Sequence, residues 1–274
     1  ASAREALSAS FSFDVSDDTL SISVRILSEN RAEALALLKT ALIKPRFDTE
    51  AVERVRQQVL SILASNAQDP TDTAQRVWAE QAFGDHAYGA SYQGTESSIT
   101  ALTRSDLLAA HQNLLVRDAV SISAVGDITA DELGPILDDL LSDLPAGSAL
   151  ETPPLELDIP AGLTVVDLPT PQSVAIFGHR GIDRADPDFF AAFILNTILG
   201  GNGIESRLTA EVREKRGLTY GISTVLLTKD RANVMLGQVA SANDRIGAAI
   251  EVIRDEWSKL ARDGVTAEEL QAAQ

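Results

Sequence analysis

The chain has 274 residues, 45% of them hydrophobic, and a formal net charge of −17 from 40 acidic residues against 23 Lys plus Arg. That is length for about two ordinary domains and apolar content for substantial cores, which excludes an intrinsically disordered chain. An acidic surface repels nucleic acid and anionic lipid, so neither is expected as a partner. The complete lack of cysteine removes disulfide scaffolds, cysteine metal sites and cysteine nucleophiles together, and no apolar run approaches the roughly 18 residues of a membrane span.

In chain order, Thr19 to Leu27 alternates apolar and polar residues, the period of a half-buried strand. Ser28 is then placed to cap a helix with Leu35, Leu38 and Leu42 on one face, ended by Pro45. Asp48 opens a second helix, which Asp69-Pro70 closes, and Thr71 to Phe83 reads as a third, followed by a Gly-rich loop from Gly84 to Gly94. Thr103 with Asp106, and Thr129 with Glu132, have capping-box spacing at the starts of two more helices. Between them Val120 to Val125 reads as a short apolar strand.

Five Pro and Gly residues between Pro145 and Pro160 mark a linker. Beyond it, Leu163 to Leu168 and Val174 to Phe177 read as strands. Asp186-Pro187 is an N-cap followed by proline, and Asp188 to Leu199 is apolar nearly all round, so this helix is expected to be buried. Gly200-Gly201-Asn202-Gly203 stops it, a further helix carries Leu208, Val212 and Arg213, and Gly217 supplies the turn at its end. Strands Leu218 to Leu227 and Ala232 to Ala240 follow, then a helix whose stripe runs from Ile246 to Leu260.

Two stretches repeat. A strand ending at Leu27, the helix 31–44 and Phe47-Asp-Thr-Glu-Ala-Val52 are matched by a strand ending at Ala240, the helix 245–261 and Val265-Thr-Ala-Glu-Glu-Leu270. The expected architecture is α+β, with a first αβ domain over residues 1–147, a linker over 148–160 and a second, homologous αβ domain over 161–274. The chain opens in strand-like sequence and stops inside a helical pattern, so both copies are expected to be truncated and the chain to be a piece of a longer one.

The chemistry-bearing residues are few. His86, His111 and His179 lack the spacing that puts two imidazoles on one helical face, so no metal site is expected in this chain. There is no Gly-x-Ser-x-Gly, and the Gly200–Gly203 loop follows a helix and has no Walker lysine, so serine hydrolysis and phosphate binding are both unsupported. Glu132, Glu268 and Glu269 are explained by capping, Glu50 by a first helical turn, and the charge run from Glu211 to Arg216 by default as a solvated face. Arg213 of that run and Tyr220 beyond it flank a glycine turn. Arg is a permanent forked donor and Tyr a neutral one, so together they can hold a peptide carbonyl or carboxylate, but neither can cut it.

Several pieces, in order, resemble the M16 metallopeptidase family, the insulinase- or pitrilysin-like group with its bacterial two-subunit branch. They are Pro45-Arg-Phe-Asp-Thr-Glu50, Phe83-Gly-Asp-His86-Ala-Tyr-Gly89, Gly94-Thr-Glu-Ser-Ser-Ile99, Asp106-Leu107, Val125-Gly-Asp127, Leu199-Gly-Gly-Asn-Gly203, Ser206-Arg-Leu208 and Arg213-Glu-x-x-Gly-Leu-x-Tyr220. The resemblance implies two homologous M16 domains, each a mixed, mostly antiparallel sheet packed with helices. It implies zinc held by H-x-x-E-H and a distal Glu in the first domain of catalytic members, and Arg213 and Tyr220 as the substrate-binding and catalytic pair that grips the peptide and stabilises the oxyanion. H-x-x-E-H would lie upstream of Ala1, and the stretch corresponding to the distal Glu reads Leu60-Ser-Ile-Leu63. This chain is therefore expected to be the non-zinc subunit of a heterodimeric peptidase, binding no cofactor itself. Zinc is expected on a homologous partner subunit, the substrate is expected to be a peptide, and the implied setting is periplasmic. Two alternatives stay open: a scaffolding M16 homologue, and a complete zinc peptidase whose H-x-x-E-H precedes Ala1.

Overall fold

The computed structural model of the chain describes residues 2–148, 151–201 and 206–274. In chain order the elements are α1 (Ser2–Ala6), β1 (Ser10–Val15), β2 (Leu20–Arg25), α2 (Arg31–Ile43), α3 (Thr49–Asn66), α4 (Pro70–Phe83), α5 (Glu96–Ala101), α6 (Arg104–Leu114), α7 (Ala130–Leu141), β3 (Gln172–Arg180), α8 (Phe189–Leu199), β4 (Gly221–Thr228), β5 (Asn233–Ala242), α9 (Ile246–Asp263) and α10 (Ala267–Ala273). Short 3₁₀ turns occupy Ser28–Asn30, Ala87–Gly89 and Arg117–Ala119, and a π-helical turn occupies Thr209–Glu214. The class is α+β with antiparallel pairing throughout. No helix among the described residues is long and apolar enough to cross a membrane.

The residues gather into two compact units, one of 1–60 with 94–152 and one of 61–93 with 153–274. In the first unit, β1 and β2 form a hairpin in which Phe13 faces Ile22. The small core beside it is built on Leu38, Leu42 and Leu140, with Phe11, Ile22 and Leu35 packed against it. Capping boxes start α5 (Thr95 with Ser98), α6 (Thr103 with Asp106) and α7 (Thr129 with Glu132), each giving the N3 amide and the N-cap amide a side-chain partner. The helix expected from Ser28 begins instead at Arg31, after a 3₁₀ turn without a side-chain cap.

The second unit holds the sheet that carries the candidate site. Its strand order is β3-β5-β4, with Phe177 opposite Gly237 and Ile222 opposite Val239. Alternate residues of a strand face opposite ways, and the helices follow that rule. Trp257 of α9 meets Phe177 and His179 edge-on, whereas Trp78 of α4 lies over Gly178. Helices α9 and α4 thus cover opposite faces of the sheet. The larger core contains the fully buried Leu199, Leu208, Val212 and Val239 together with Ala249, Ile253 and Leu260 of α9, and burying each large aliphatic side chain contributes about 1.5–3 kcal/mol.

Four expectations fail, three of them for a reason outside the local sequence. Val120–Val125 and Leu163–Leu168 carry the apolar content of strands, yet neither is one. No described strand supplies a hydrogen-bonding ladder to either, and Val120, Ile122, Val125, Leu163, Val165 and Val166 are all exposed. Helix α8 is buried on one side only. Phe189, Ile198 and Leu199 are buried and the helix packs on β4 and α10, while Phe190, Phe193 and Leu195 are exposed, with no described element over that side. Asp186 does not cap α8 either: its carboxylate accepts the Asp188 amide at 2.9 Å, and the helix starts two residues later, at Phe189.

Candidate functional site

The stretch from Ser206 to Gly221 joins the end of the buried helical segment to the start of β4. Val212 is completely buried against the sheet, and a π turn over Thr209–Glu214 follows Leu208. Its wide register shows in the Lys215 amide, which donates to the Ala210 carbonyl at 3.0 Å. Such turns are rare and recur at functional sites. Gly217 then takes φ +59, and the Gly217 and Leu218 amides return to the Arg213 and Val212 carbonyls at 2.9 Å each. This is the C-terminal glycine turn expected from sequence. The expected Gly200–Gly203 stop falls partly outside the described residues. Its first glycine is placed: Gly200 accepts the Thr224 amide at 2.6 Å, and a Cβ there would lie 2.7 Å from Thr224 Oγ1.

Within this stretch, Arg213 sits in the π turn and Tyr220 directly precedes β4. The backbone around them is pinned. Thr219, buried at 7%, donates through Oγ1 to the carbonyls of Gly221 and Ala240 and accepts the Gly221 amide. Ser241 donates to the Leu218 carbonyl, and Arg245 reaches the Gly217 carbonyl at 3.3 Å. The side chains are free. Tyr220 is 91% exposed, Arg213 is exposed, and neither makes a hydrogen bond or ion pair among the described residues. The other cations of the run are consumed: Glu211 takes Lys215 at 2.5 Å and Arg216 at 2.6 Å, and these contacts, Lys215 first, hold its carboxyl below the usual carboxylate range. Within the Glu211–Arg216 run, Lys215 and Arg216 therefore share one carboxylate, and Arg213 is a guanidinium without an ion pair among the described residues. Thr219, Ser241 and Arg245 carry no motif that sequence reasoning could have used.

The donor set does not fit zinc. Among the described residues there is no group of three or more His, Asp, Glu or Cys able to hold a metal ion. His86 is a turn residue whose Nδ1 accepts the Tyr88 amide at 3.2 Å while Nε2 donates to the Pro153 carbonyl at 3.0 Å. His111 is half-buried, with Nε2 bonded to the Leu42 carbonyl at 2.7 Å. His179 donates through Nδ1 to the Arg180 carbonyl at 2.6 Å. On α3, Leu60 to Leu63 offers no carboxylate, and Glu53 is already held by Gln57 at 2.7 Å and Arg56 at 3.0 Å.

Fold and site together define an α+β protein with an exposed Arg and Tyr on pinned backbone and, among the described residues, no group of side chains able to hold a metal ion. The model of the family described as "Peptidase M16 inactive domain" matches residues 101–274, more than half of the chain, and the chain belongs to the peptidase M16 family. An uncharacterised zinc protease of Mycobacterium leprae is 26% identical over 252 residues, covering 90% of this chain and 56% of its own length. A protein of Helicobacter pylori described as a non-peptidase homolog is 25% identical over 265 residues, covering 96% of this chain and 61% of its own. The crystal structure of a peptidase M16 inactive domain from Pseudomonas fluorescens superposes with a TM-score of 0.90 at 28% identity, over 99% of this chain and 66% of that one. The chain thus spans little more than half the length of the curated relatives it matches.

Proposed function

We propose that this chain is the non-zinc subunit of a two-chain M16 peptidase, and that it supplies Arg213 and Tyr220 to a peptide bound at a homologous, zinc-bearing partner. The observation that carries this reading is the contrast at the site, where pinned backbone holds two side chains that are exposed and, among the described residues, make no hydrogen bond or ion pair. Order of that kind suits a ligand that arrives from outside. Arg213 would bind the peptide through its charge and planar fork, and Tyr220 would donate its hydroxyl proton to an oxygen gaining negative charge. Zinc belongs with the partner, because the residues here do not form a ligand set. The paired-domain organisation (1–147 and 161–274 about the 148–160 linker) and a periplasmic setting are parts of the same reading.

The test mixes the full-length chain with the zinc-motif homologue of the same cell and measures peptide cleavage by each alone and by both. Activity is expected only in the mixture. Losing one donor aimed at an oxyanion commonly costs about 10²–10³ in rate, the size of loss expected for Arg213→Ala. Full activity from this chain alone overturns the proposal in favour of a complete zinc peptidase. A second reading, a scaffolding homologue, is favoured by the Helicobacter pylori relative described as a non-peptidase homolog. Unchanged activity of the mixture when Arg213 and Tyr220 are both replaced would support that reading.

A further inference from the structure

Six residues before Arg213, Arg207 makes the most elaborate ion pair of the second unit. Its Nε and Nη2 donate to the two carboxylate oxygens of Glu269 at 2.5 and 2.6 Å, and Nη2 also reaches the Gly264 carbonyl at 2.9 Å. Glu269 accepts the Thr266 amide at 2.8 Å as well, so one carboxylate both caps α10 and receives the guanidinium fork. Isolated exposed ion pairs usually contribute little. This one differs in being bidentate, partly buried and shared with two backbone groups.

We propose that the Arg207–Glu269 pair positions Arg213, by bolting the turn between α9 and α10 to the start of the helical segment that carries the π turn. That segment is held at its far end by the Gly217 and Leu218 amides and by Arg245 and Ser241. Arg207 holds the near end, and between the two lie the residues whose i→i−5 hydrogen bond widens the helix. A π register is rare and mostly confined to single turns, so losing either hold is expected to let this turn slip to ordinary α register. Shifting by one residue turns everything beyond it by about 100°, since 3.6 residues complete a turn. Arg213 cannot keep its present direction through such a rotation. Glu269 therefore acts on the candidate site through Arg213 and touches no substrate.

Only the activity arm of the test rests on the function proposed above. In the first arm, amide hydrogen exchange is measured on the full chain carrying Glu269→Gln, and on Arg207→Lys, which keeps the charge and loses the fork. Exchange at Lys215, Gly217 and Leu218 is expected to quicken about tenfold by local opening, while the amides of β5 keep their protection. Unchanged exchange over residues 209–218, or a loss spread equally through β5, overturns the proposal. In the second arm, peptide cleavage by the mixture is compared for Arg213→Ala, Glu269→Gln and both together. The double variant is expected to be no slower than Arg213→Ala, because the clamp works through that side chain; additive losses refute it. Should Arg213→Ala leave cleavage unchanged, the subunit reading falls, and the exchange arm still decides the clamp.

Discussion

The Arg207–Glu269 pair also makes the stability of the second unit depend on pH in a defined direction. The Arg207 fork first, and then the Thr266 amide, lower the Glu269 carboxyl from 4.5 to about 2. A carboxyl depressed on folding adds stability that is complete above its unfolded value and is lost as pH falls from about 4.5 towards about 2. At 1.36 kcal/mol per unit the shift is an upper bound of about 3 kcal/mol. The Glu269 side chain is 28% exposed, so solvent screening brings the expected value to about 1–2 kcal/mol. Glu269→Gln removes the charge while leaving an oxygen for the Thr266 amide, so it should cost that amount at pH 7 and almost nothing near pH 2. Urea unfolding followed by tryptophan fluorescence is the assay, because both tryptophans, Trp78 and Trp257, lie in the second unit. A penalty equally large at pH 7 and pH 2.5 would refute the electrostatic account and leave packing as its cause.

Two further expectations concern the joint between α8 and β4. Gly200→Ala would place a methyl 2.7 Å from Thr224 Oγ1 and 2.9 Å from Leu208 Cδ1, both on buried residues, so overpacking of about 1–3 kcal/mol is expected in the same unfolding assay. Thr224→Val should instead be neutral or stabilising by up to about 1 kcal/mol, since the Thr224 hydroxyl is buried without a hydrogen-bond partner among the described residues. A clear loss of stability in Thr224→Val would mean that this oxygen does have a partner, such as a bound water.

What could be read from sequence was local. The stripe of α9, the capping boxes at Thr103 and Thr129, the glycine turn at Gly217 and the strands that became β3, β4 and β5 each depend on a few neighbouring residues. What could not be read depended on a distant partner. Val120–Val125 and Leu163–Leu168 have strand composition, but a strand exists only beside another strand. Helix α8 looked fully apolar, yet which side is covered depends on β4 and α10. Glu269 was legible as a cap and not as the partner of Arg207, because nothing local links residues 62 apart. The compact units are likewise discontinuous, with 61–93 joined to 153–274, which no composition shift announces.

The candidate site combines both kinds of information. Arg213 and Tyr220 were found by motif and spacing, and by sequence alone either would pass for an ordinary surface residue. Three structural facts separate them from that background. Glu211 binds both Lys215 and Arg216, and Arg213 has no ion pair among the described residues. Thr219 and Ser241 fix the main chain on both sides of Tyr220 while its ring stays in solvent. The π turn holds Arg213 in a register that an unsupported helix would abandon. Each of these arrangements restricts backbone freedom, and restricting a residue costs about 1–2 kcal/mol. That order serves neither Arg213 nor Tyr220 through any hydrogen bond or ion pair among the described residues, and this contrast supports the proposed use of the two side chains at a surface formed with something else.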